Sequence, residues 1–255
     1  MKSNKEINDK NLHFTSVYNT EESLNHYTKA TFNVGILESE KELLKRFANK
    51  ESKIADLGCG TGRFVFSAIQ NGYKNIFGFD ISEKSILKAK AIQKSNTKYQ
   101  SAHFLEFDLS IDEYEKNNDF DFMIFTFNSL MCMPQRSHKI NSLKNAYKAL
   151  NSKGYLVFSC AEPEGNDLRL EMIAKQRQEL KVKNIKDWDE GDFVYYQGGG
   201  VGVLSYYTRQ QVFELLKEAN LPMPKLISKR DELAKESQKA QEFCDNTTYY
   251  VIQKQ

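Results

Sequence analysis

The stretch from Lys53 to Phe64 reads KIADLGCGTGRF and sets three alternating glycines after a short apolar run. Glycine has no Cβ atom, so the backbone can turn there with positive φ and lie close to a ligand. In α/β sheets a strand, a glycine turn and a helix form a nucleotide site beyond the carboxyl end of the strand. The stretch therefore predicts a strand, a loop that contacts a ligand, and a helix that begins near Gly62.

The spacing of the glycines narrows the class of ligand. A dinucleotide fingerprint needs G-x-G-x-x-G, whereas here Gly58, Gly60 and Gly62 alternate and Arg63 follows. A phosphate-binding P-loop would end in Gly-Lys-Ser or Gly-Lys-Thr, and the stretch lacks that ending. The loop is therefore suited to a nucleoside and has no signature for a pyrophosphate.

Two aspartates follow at the ends of later predicted strands. Asp80 ends GFD, 18 residues after Gly62, which is close to the spacing of ribose-binding acids in βαβ units. A carboxylate there can accept two hydrogen bonds from a ribose diol. Asp108, in EFDLS, ends the third strand within reach of an adenine amino group. Either aspartate alone suits a strand end or helix cap, but the preceding glycine loop favours ligand contact.

The middle of the chain alternates between predicted strands and helices. The predicted strands are KIADLGC, NIFGFDIS, AHFLEFDLS, FDFMIFTFN and GYLVFSC. Ser82 is placed to cap the helix after the second strand, and Leu143 and Leu150 lie on one stripe of a helix before the fifth. This alternation predicts an α/β fold with a doubly wound, mostly parallel sheet and helices on both faces.

The pattern changes after residue 160. A helix is predicted over residues 165–182, and DFVYYQGGGVGVLSYYT reads as two strands joined by a glycine turn. Thr208 and Gln211 form a capping-box pattern at the start of another helix. The final TTYYVIQKQ alternates as a strand does. We therefore expect the C-terminal elements to complete the sheet.

Composition limits the location and the partners of the chain. The apolar fraction is 40%. The net charge is only +2 and the sequence has no concentrated basic stretch of the kind that binds nucleic acid. The amino terminus lacks the apolar core of a signal peptide, and no apolar run approaches the ~20 residues of a membrane span. The cysteines at 59, 132, 160 and 244 are far apart. We expect a cytoplasmic protein, monomeric or homodimeric, without disulfides, membrane contact or a metal site.

The motifs resemble those of the class I S-adenosylmethionine-dependent methyltransferases. DLGCGTG is similar to that family's first motif, and GFDIS and FDLS stand where the second and third belong. The resemblance covers roughly residues 36–160. It implies a Rossmann-like sheet of seven strands with the last strand antiparallel. It also implies an enzyme that binds S-adenosyl-L-methionine and releases S-adenosyl-L-homocysteine.

The resemblance also implies a division of the single domain, residues 1–255. Residues 1–35 resemble a lid segment, and 36–160 form the cofactor-binding core. Residues 161–207 are expected to form an inserted substrate cover, and 208–255 to complete the sheet.

The same resemblance assigns cofactor contacts. The loop from Asp56 to Gly62 would line the methionine part, Asp80 the ribose, and Asp108 the adenine amino group. The full implied set is Tyr27, Asp56, Gly58, Cys59, Gly60, Gly62, Asp80, Ile81, Asp108, Leu109, Phe127 and Asn128.

The methyl acceptor is the least determined part of the prediction. The expected reaction is in-line displacement onto an N, O or S atom of a small molecule. Acceptor contacts are predicted at Tyr18, Met131, Tyr195 and Tyr206. If the acceptor needs a general base, His26 and Tyr27 are the candidates.

Two other functions stay open. One is methylation of rRNA or tRNA, and the other is non-catalytic binding of S-adenosylmethionine. FNSL replaces the Asn-Pro-Pro-Tyr signature of enzymes that methylate nucleic-acid amino groups or glutamine. This departure makes those substrates less expected without excluding other RNA targets.

Overall fold

A computed structural model gives the fold of the protein for residues 15–114, 119–163, 167–180, 189 and 191–255. The first part of the predicted lid, residues 1–14, and parts of the predicted cover, residues 164–166, 181–188 and 190, lie outside the described residues.

The described strands form one large sheet and one hairpin. They are β1 Lys53–Leu57, β2 Asn75–Asp80, β3 Ala102–Glu106, β4 Phe120–Phe125, β5 Leu150–Cys160, β6 Asp192–Gln197, β7 Gly200–Ser205, β8 Leu226–Lys229 and β9 Thr248–Gln253. The large sheet has the order β3-β2-β1-β4-β5-β9-β8. Strands β1 to β5 pair in parallel, whereas β9 is antiparallel to both β5 and β8. The predicted mostly parallel, seven-stranded Rossmann-like sheet is confirmed.

Helices cover both faces of this sheet. They are α1 Glu21–Asn33, α2 Glu38–Phe47, α3 Arg63–Gln70, α4 Glu83–Ser95, α5 Arg136–Ala149, α6 Asp167–Leu180, α7 Arg209–Glu218, α8 Arg230–Leu233 and α9 Gln238–Phe243. Side chains of a strand alternate between faces. Ile54 accordingly packs with Leu43 and Phe64 on one face, while the next residue, Ala55, packs with Leu143 and Leu215 on the other.

Local sequence signals fix several helix starts as predicted. The Ser82 hydroxyl accepts a hydrogen bond from the Ser85 amide at 3.2 Å and caps α4. Thr208 and Gln211 form the predicted capping box of α7. Each cap satisfies amides that have no partner within the helix.

Three local predictions differ from the structure. Leu150 was expected on a helical stripe, but its backbone is extended and pairs with Phe120 as the first residue of β5. Tyr206 and Tyr207 were expected within a strand, but β7 ends at Ser205. Strand β8 was not predicted, because it is a short edge strand with only half-buried side chains before an exposed lysine.

The described part of the N-terminal segment lies against the rest of the molecule through polar contacts. In α1, Thr31 Oγ1 lies 2.8 Å from Thr61 Oγ1 of the glycine loop. The Ser82 hydroxyl donates to Asn19 Oδ1 at 2.8 Å. Residues 15–33 therefore pack close to the carboxyl ends of β1 and β2.

A buried ion pair joins α2 to the start of α3. Arg63 Nη1 and Nη2 lie 2.7 and 2.6 Å from the two carboxylate oxygens of Glu40, and the two side chains are 6% and 0% exposed. Glu40 also accepts a hydrogen bond from the Leu37 amide, and Arg63 donates to the Gly35 carbonyl. The pair is thus bidentate and its remaining hydrogen-bonding capacity is used, which a buried pair requires.

Removing one partner of this pair should strongly destabilise the fold. Arg63→Met and Glu40→Gln should each lower the free energy of unfolding by about 3–5 kcal/mol, because each leaves a buried charge without its counter-ion. The double variant should lose less than the sum of the two. Urea unfolding measures all three, and Glu42→Gln, in the exposed Arg46–Glu42 pair, is the control that should change little. Losses as small as that of the control would contradict a structural role for the pair.

Candidate active site

A cavity, here named the main cavity, lies beyond the carboxyl ends of β1 to β4. Its floor consists of residues that follow the strands: Gly58–Thr61, Asp80, Ile81, Phe107–Ser110, Thr126 and Phe127. The topology thus brings the predicted loop and both predicted aspartates, Asp80 and Asp108, to one cavity.

Two glycines of the loop are needed for different reasons. Gly62 has φ +93°, and a Cβ atom there would lie 2.7 Å from the Phe66 ring and 2.9 Å from the Phe104 ring. Gly60 has φ +53°, lines the main cavity, and a Cβ atom there would meet nothing within 4 Å. Gly62 therefore permits packing of the loop, whereas Gly60 leaves space for a ligand.

Asp80 holds the glycine loop in place. One carboxylate oxygen accepts the Gly60 amide at 2.7 Å, and the other accepts the Ser82 amide at 2.8 Å. Asp80 thereby also positions the Gly60 amide, a role that the sequence did not predict. Each oxygen keeps a second lone pair, and Asp80 lines the main cavity, so a diol can still be accepted.

Asp56 is a buried carboxyl group beneath the loop. Thr126 Oγ1 donates to its Oδ1 at 3.0 Å, while Oδ2 is buried without a hydrogen-bond partner among the described residues. Burial raises the pKa of Asp56 to about 7, although the nearby Arg63 charge opposes the rise. Asp56 is therefore a buried group of the loop's support, and one of its oxygens is unsatisfied.

Tyr18 and Tyr27 of the N-terminal segment line the main cavity together with Cys132. Tyr18 OH lies 3.2 Å from Tyr195 OH, which connects the N-terminal segment to the hairpin of β6 and β7. Burial raises the pKa of both Tyr18 and Tyr27 well above the ordinary value, and Cys132 and Tyr195 nearby add to the rise. These phenols are therefore neutral near pH 7 and suited to donate hydrogen bonds.

Phe127 and Asn128 separate the main cavity from a second one. Both have positive φ, +48° and +59°, which asparagine adopts readily but which is strained for phenylalanine. The second cavity, here named the side cavity, shares Tyr27 and Phe127 with the main cavity. His26 and Asn128 line the side cavity only. The His26 ring stacks on the Phe243 ring, and the Phe243 ring contacts the Phe127 ring at a tilted angle.

The structure brings most of the predicted site residues together. Those that line the main cavity are Tyr18, Tyr27, Gly58, Cys59, Gly60, Asp80, Ile81, Asp108, Leu109 and Phe127. Those that line neither cavity are Asp56, Gly62, Met131, Tyr195 and Tyr206. Met131 is fully buried in the core, and Tyr206 lies with its ring 4.5 Å from the Arg169 guanidinium.

Several lining residues were not predicted. Cys132, Met133, Pro134 and His138 form one wall of the main cavity. The 3₁₀ turn from Ser129 to Cys132 directs Met131 into the core and Cys132 to the cavity, and the sequence has no signal for that turn. Arg230 lines the side cavity, and nothing in the sequence connected it with the site.

Neither a metal cluster nor a membrane span is found among the described residues. No group of three or more His, Cys, Asp or Glu side chains there is placed to hold a metal ion. In the same ranges, no helix is long and apolar enough to cross a membrane.

A family model described as a methyltransferase domain matches residues 48–220, more than half of the chain. The chain belongs to this methyltransferase family. The match contains the glycine loop, Asp56, Asp80 and Asp108, which are the residues expected to bind the cofactor. This membership agrees with the methyltransferase resemblance that the sequence motifs indicated.

Curated relatives are similar over part of their length. A tRNA U34 carboxymethyltransferase from Aliarcobacter butzleri is 24% identical over 164 residues, which cover 59% of this chain and 50% of the relative. Another from Campylobacter fetus is 31% identical over 118 residues, 44% of this chain and 37% of the relative. A carboxy-S-adenosyl-L-methionine synthase from Nautilia profundicola is 23% identical over 186 residues, which cover 70% of this chain and 73% of the relative. The chain thus spans half or less of the carboxymethyltransferases it matches.

Solved structures are similar in fold. A methyltransferase from Methanosarcina mazei has a TM-score of 0.65 at 18% identity and covers 83% of this chain and 96% of its own. Magnesium protoporphyrin IX methyltransferase from Synechocystis, with bound S-adenosylhomocysteine, has a TM-score of 0.58 at 12% identity. The match covers 93% of this chain and 96% of that protein. At these identities the likeness establishes the fold.

The raised pKa of Asp56 should make stability depend on pH. The folded protein holds this proton more tightly than the unfolded chain, so its stabilising effect is complete below pH ~4 and is lost as the pH rises to about 7. Asp56→Asn keeps an acceptor for Thr126 and cannot ionise. Urea unfolding between pH 4 and 8 should therefore show the parent losing stability relative to the variant. A constant difference, or one of opposite sign, would contradict the raised pKa.

Proposed function

We propose that this methyltransferase methylates an N, O or S atom of a small molecule bound under the N-terminal segment. The supporting observation is the position of residues 15–33, here named the roof, over the main cavity. Tyr18 OH lies within hydrogen-bond distance of Tyr195 OH, and Asn19 accepts a hydrogen bond from Ser82, so the roof is held on two sides of the cavity. His26 and Tyr27 of the same segment also line the side cavity, so the segment lies over both cavities and can shield a compact acceptor from water. In this proposal residues 1–35 act as a lid and 161–207 as a cover.

The residues of the main cavity fit S-adenosylmethionine. We assign Asp80 to the ribose hydroxyls, Asp108 to the adenine amino group and the glycine loop to the methionine part. When bound, S-adenosylmethionine supplies a methyl group on a cationic sulfur, which is already activated for displacement. The protein's part is to align the acceptor and to exclude water.

Proton removal depends on the acceptor atom. A neutral amine, a thiolate or a carboxylate needs no strong base. Tyr27, one of the two predicted catalytic candidates, keeps its proton near pH 7 because burial raises its pKa. It is therefore unavailable as a base, and we assign it a hydrogen-bond donor role. If the acceptor is a hydroxyl or an ammonium group, His26 of the side cavity and His138 of the main cavity are the candidate bases.

The second candidate is an RNA-modifying enzyme. The names of the tRNA U34 carboxymethyltransferases favour it, although the matched segments cover half or less of those proteins. A tRNA base would have to enter beneath residues 15–33, so this function requires the roof to open. A non-catalytic role would leave the cofactor bound without turnover.

Fractionated cell extract distinguishes these functions. The extract is divided into a small-molecule fraction, treated with ribonuclease and filtered, and a purified RNA fraction. With S-adenosylmethionine and the full-length protein, we expect S-adenosylhomocysteine to accumulate with the small-molecule fraction, because the roofed cavity admits compact acceptors. Mass spectrometry quantifies the product and finds the methylated acceptor.

Each other outcome contradicts the proposal. Turnover only with RNA would establish the RNA-modifying function. Binding of S-adenosylmethionine without turnover in either fraction would support a non-catalytic role.

A further inference from the structure

Arg230 places an unpaired positive charge at the side cavity. The residue is 5% exposed and lines this cavity. Its Nη1 donates to Cys244 Sγ at 2.7 Å, and its Nε is buried with no hydrogen-bond partner. Within the part of the chain that the structure describes, no carboxylate pairs with it. A buried charge without a partner is costly, so the position is explained best by an anionic ligand.

The carboxylates near this cavity already form ion pairs or hydrogen bonds with other side chains. Asp245 pairs with Arg169 at 2.7 Å, Glu40 pairs with Arg63, and Glu236 accepts from Ser39 at 2.6 Å. Neutralisation of Arg230 by the described protein would require breaking one of these contacts. The charge is therefore available to a bound molecule.

The free donors of Arg230 define the shape of the anion. Because Nη1 is engaged by Cys244, the Nε and Nη2 donors remain, and neither makes a hydrogen bond within the described residues. These two N–H groups are adjacent and parallel along one edge of the guanidinium. A carboxylate matches that edge with two hydrogen bonds. A single cation also balances the single charge of a carboxylate better than the double charge of a phosphate monoester.

Asn128 adds a second unsatisfied atom to the same cavity. Its Oδ1 is buried with no hydrogen-bond partner in the described part of the chain, although its backbone amide donates to Ser159 Oγ at 3.1 Å. Asn128 follows Phe127, which faces both cavities. An acceptor oxygen at this boundary requires an N–H or O–H group of a ligand.

We propose that the side cavity binds the methyl acceptor and that this acceptor is a small amino- or hydroxy-carboxylate. Arg230 binds its carboxylate, and Asn128 accepts a hydrogen bond from its amine or hydroxyl, at the boundary with the main cavity. In the transfer, the lone pair of that N or O forms the bond to the methyl carbon. The carbon–sulfur bond breaks with its electron pair going to sulfur. A neutral amine keeps its protons as the methylated ammonium ion, whereas the proton of a hydroxyl passes to His26 of the same cavity. This inference depends on the proposed small-molecule function.

Amidation of the extract tests the proposal even though the acceptor is unidentified. Carbodiimide with excess ammonia converts the carboxylates of the small-molecule fraction to carboxamides. We expect turnover with the untreated fraction and at least a tenfold lower rate after amidation. Arg230→Met should also lower the rate with the untreated fraction at least tenfold, because two charge-assisted hydrogen bonds are lost. Its affinity for S-adenosylmethionine, measured by calorimetry, should equal that of the parent.

A matched variant and a stability measurement complete the design. Arg46→Met removes an exposed arginine of α2 and should leave the rate unchanged. Urea unfolding should find Arg230→Met at least as stable as the parent, since the buried charge has no carboxylate partner.

Three results would overturn the carboxylate site while the small-molecule function stands. They are full turnover of amidated extract, full turnover by Arg230→Met, or an equal loss of S-adenosylmethionine affinity in that variant, which would assign Arg230 to the cofactor. Turnover with RNA alone would instead reject both the small-molecule function and this site.

Discussion

The buried ion pair between Arg63 and Glu40 holds together the segments from which the site is built. Arg63 is the first residue of the helix after the glycine loop, and Glu40 belongs to the helix after the N-terminal segment. The guanidinium also donates to the Gly35 carbonyl and lies 3.8 Å from the centre of the Phe127 ring. One side chain thus contacts the end of the N-terminal segment, the start of the helix after the glycine loop, and the boundary between the cavities. Its bulk also occupies the place where a dinucleotide site needs a small residue.

Buried polar atoms without a hydrogen-bond partner indicate where a ligand could bind. Five buried side-chain atoms in the described residues have no hydrogen-bond partner, and three of them belong to Asp56, Asn128 and Arg230. The first lies beneath the glycine loop and the other two line the side cavity. Such atoms lower stability unless a ligand satisfies them. Asn128 and Arg230 line the side cavity together with Phe127, which supports the proposal that the acceptor binds there and the cofactor in the main cavity.

The sequence predicted what local patterns encode and missed what depends on distant contacts. Periodicity and the glycine loop identified β1 to β5, and the spacing of Asp80 and Asp108 placed both at the main cavity. The bonds from Asp80 to backbone amides were missed, because they require the left-handed loop conformation. Arg230 was missed because it follows an unpredicted edge strand and lies about a hundred residues from Asn128. Only the folded chain brings those two residues to one cavity.

Titration calorimetry with S-adenosylmethionine tests most directly whether the glycine loop and Asp80 form the cofactor site. Asp80→Ala should lower the affinity about 10- to 150-fold, since a charge-assisted contact contributes roughly 1.5–3 kcal/mol. Asp121→Ala is the matched control: Asp121 also accepts a backbone amide, that of Lys53 at 2.8 Å, but at the opposite end of the sheet. It should therefore bind S-adenosylmethionine as the parent does. No binding by the parent, or equal affinity in the parent and Asp80→Ala, would contradict this account.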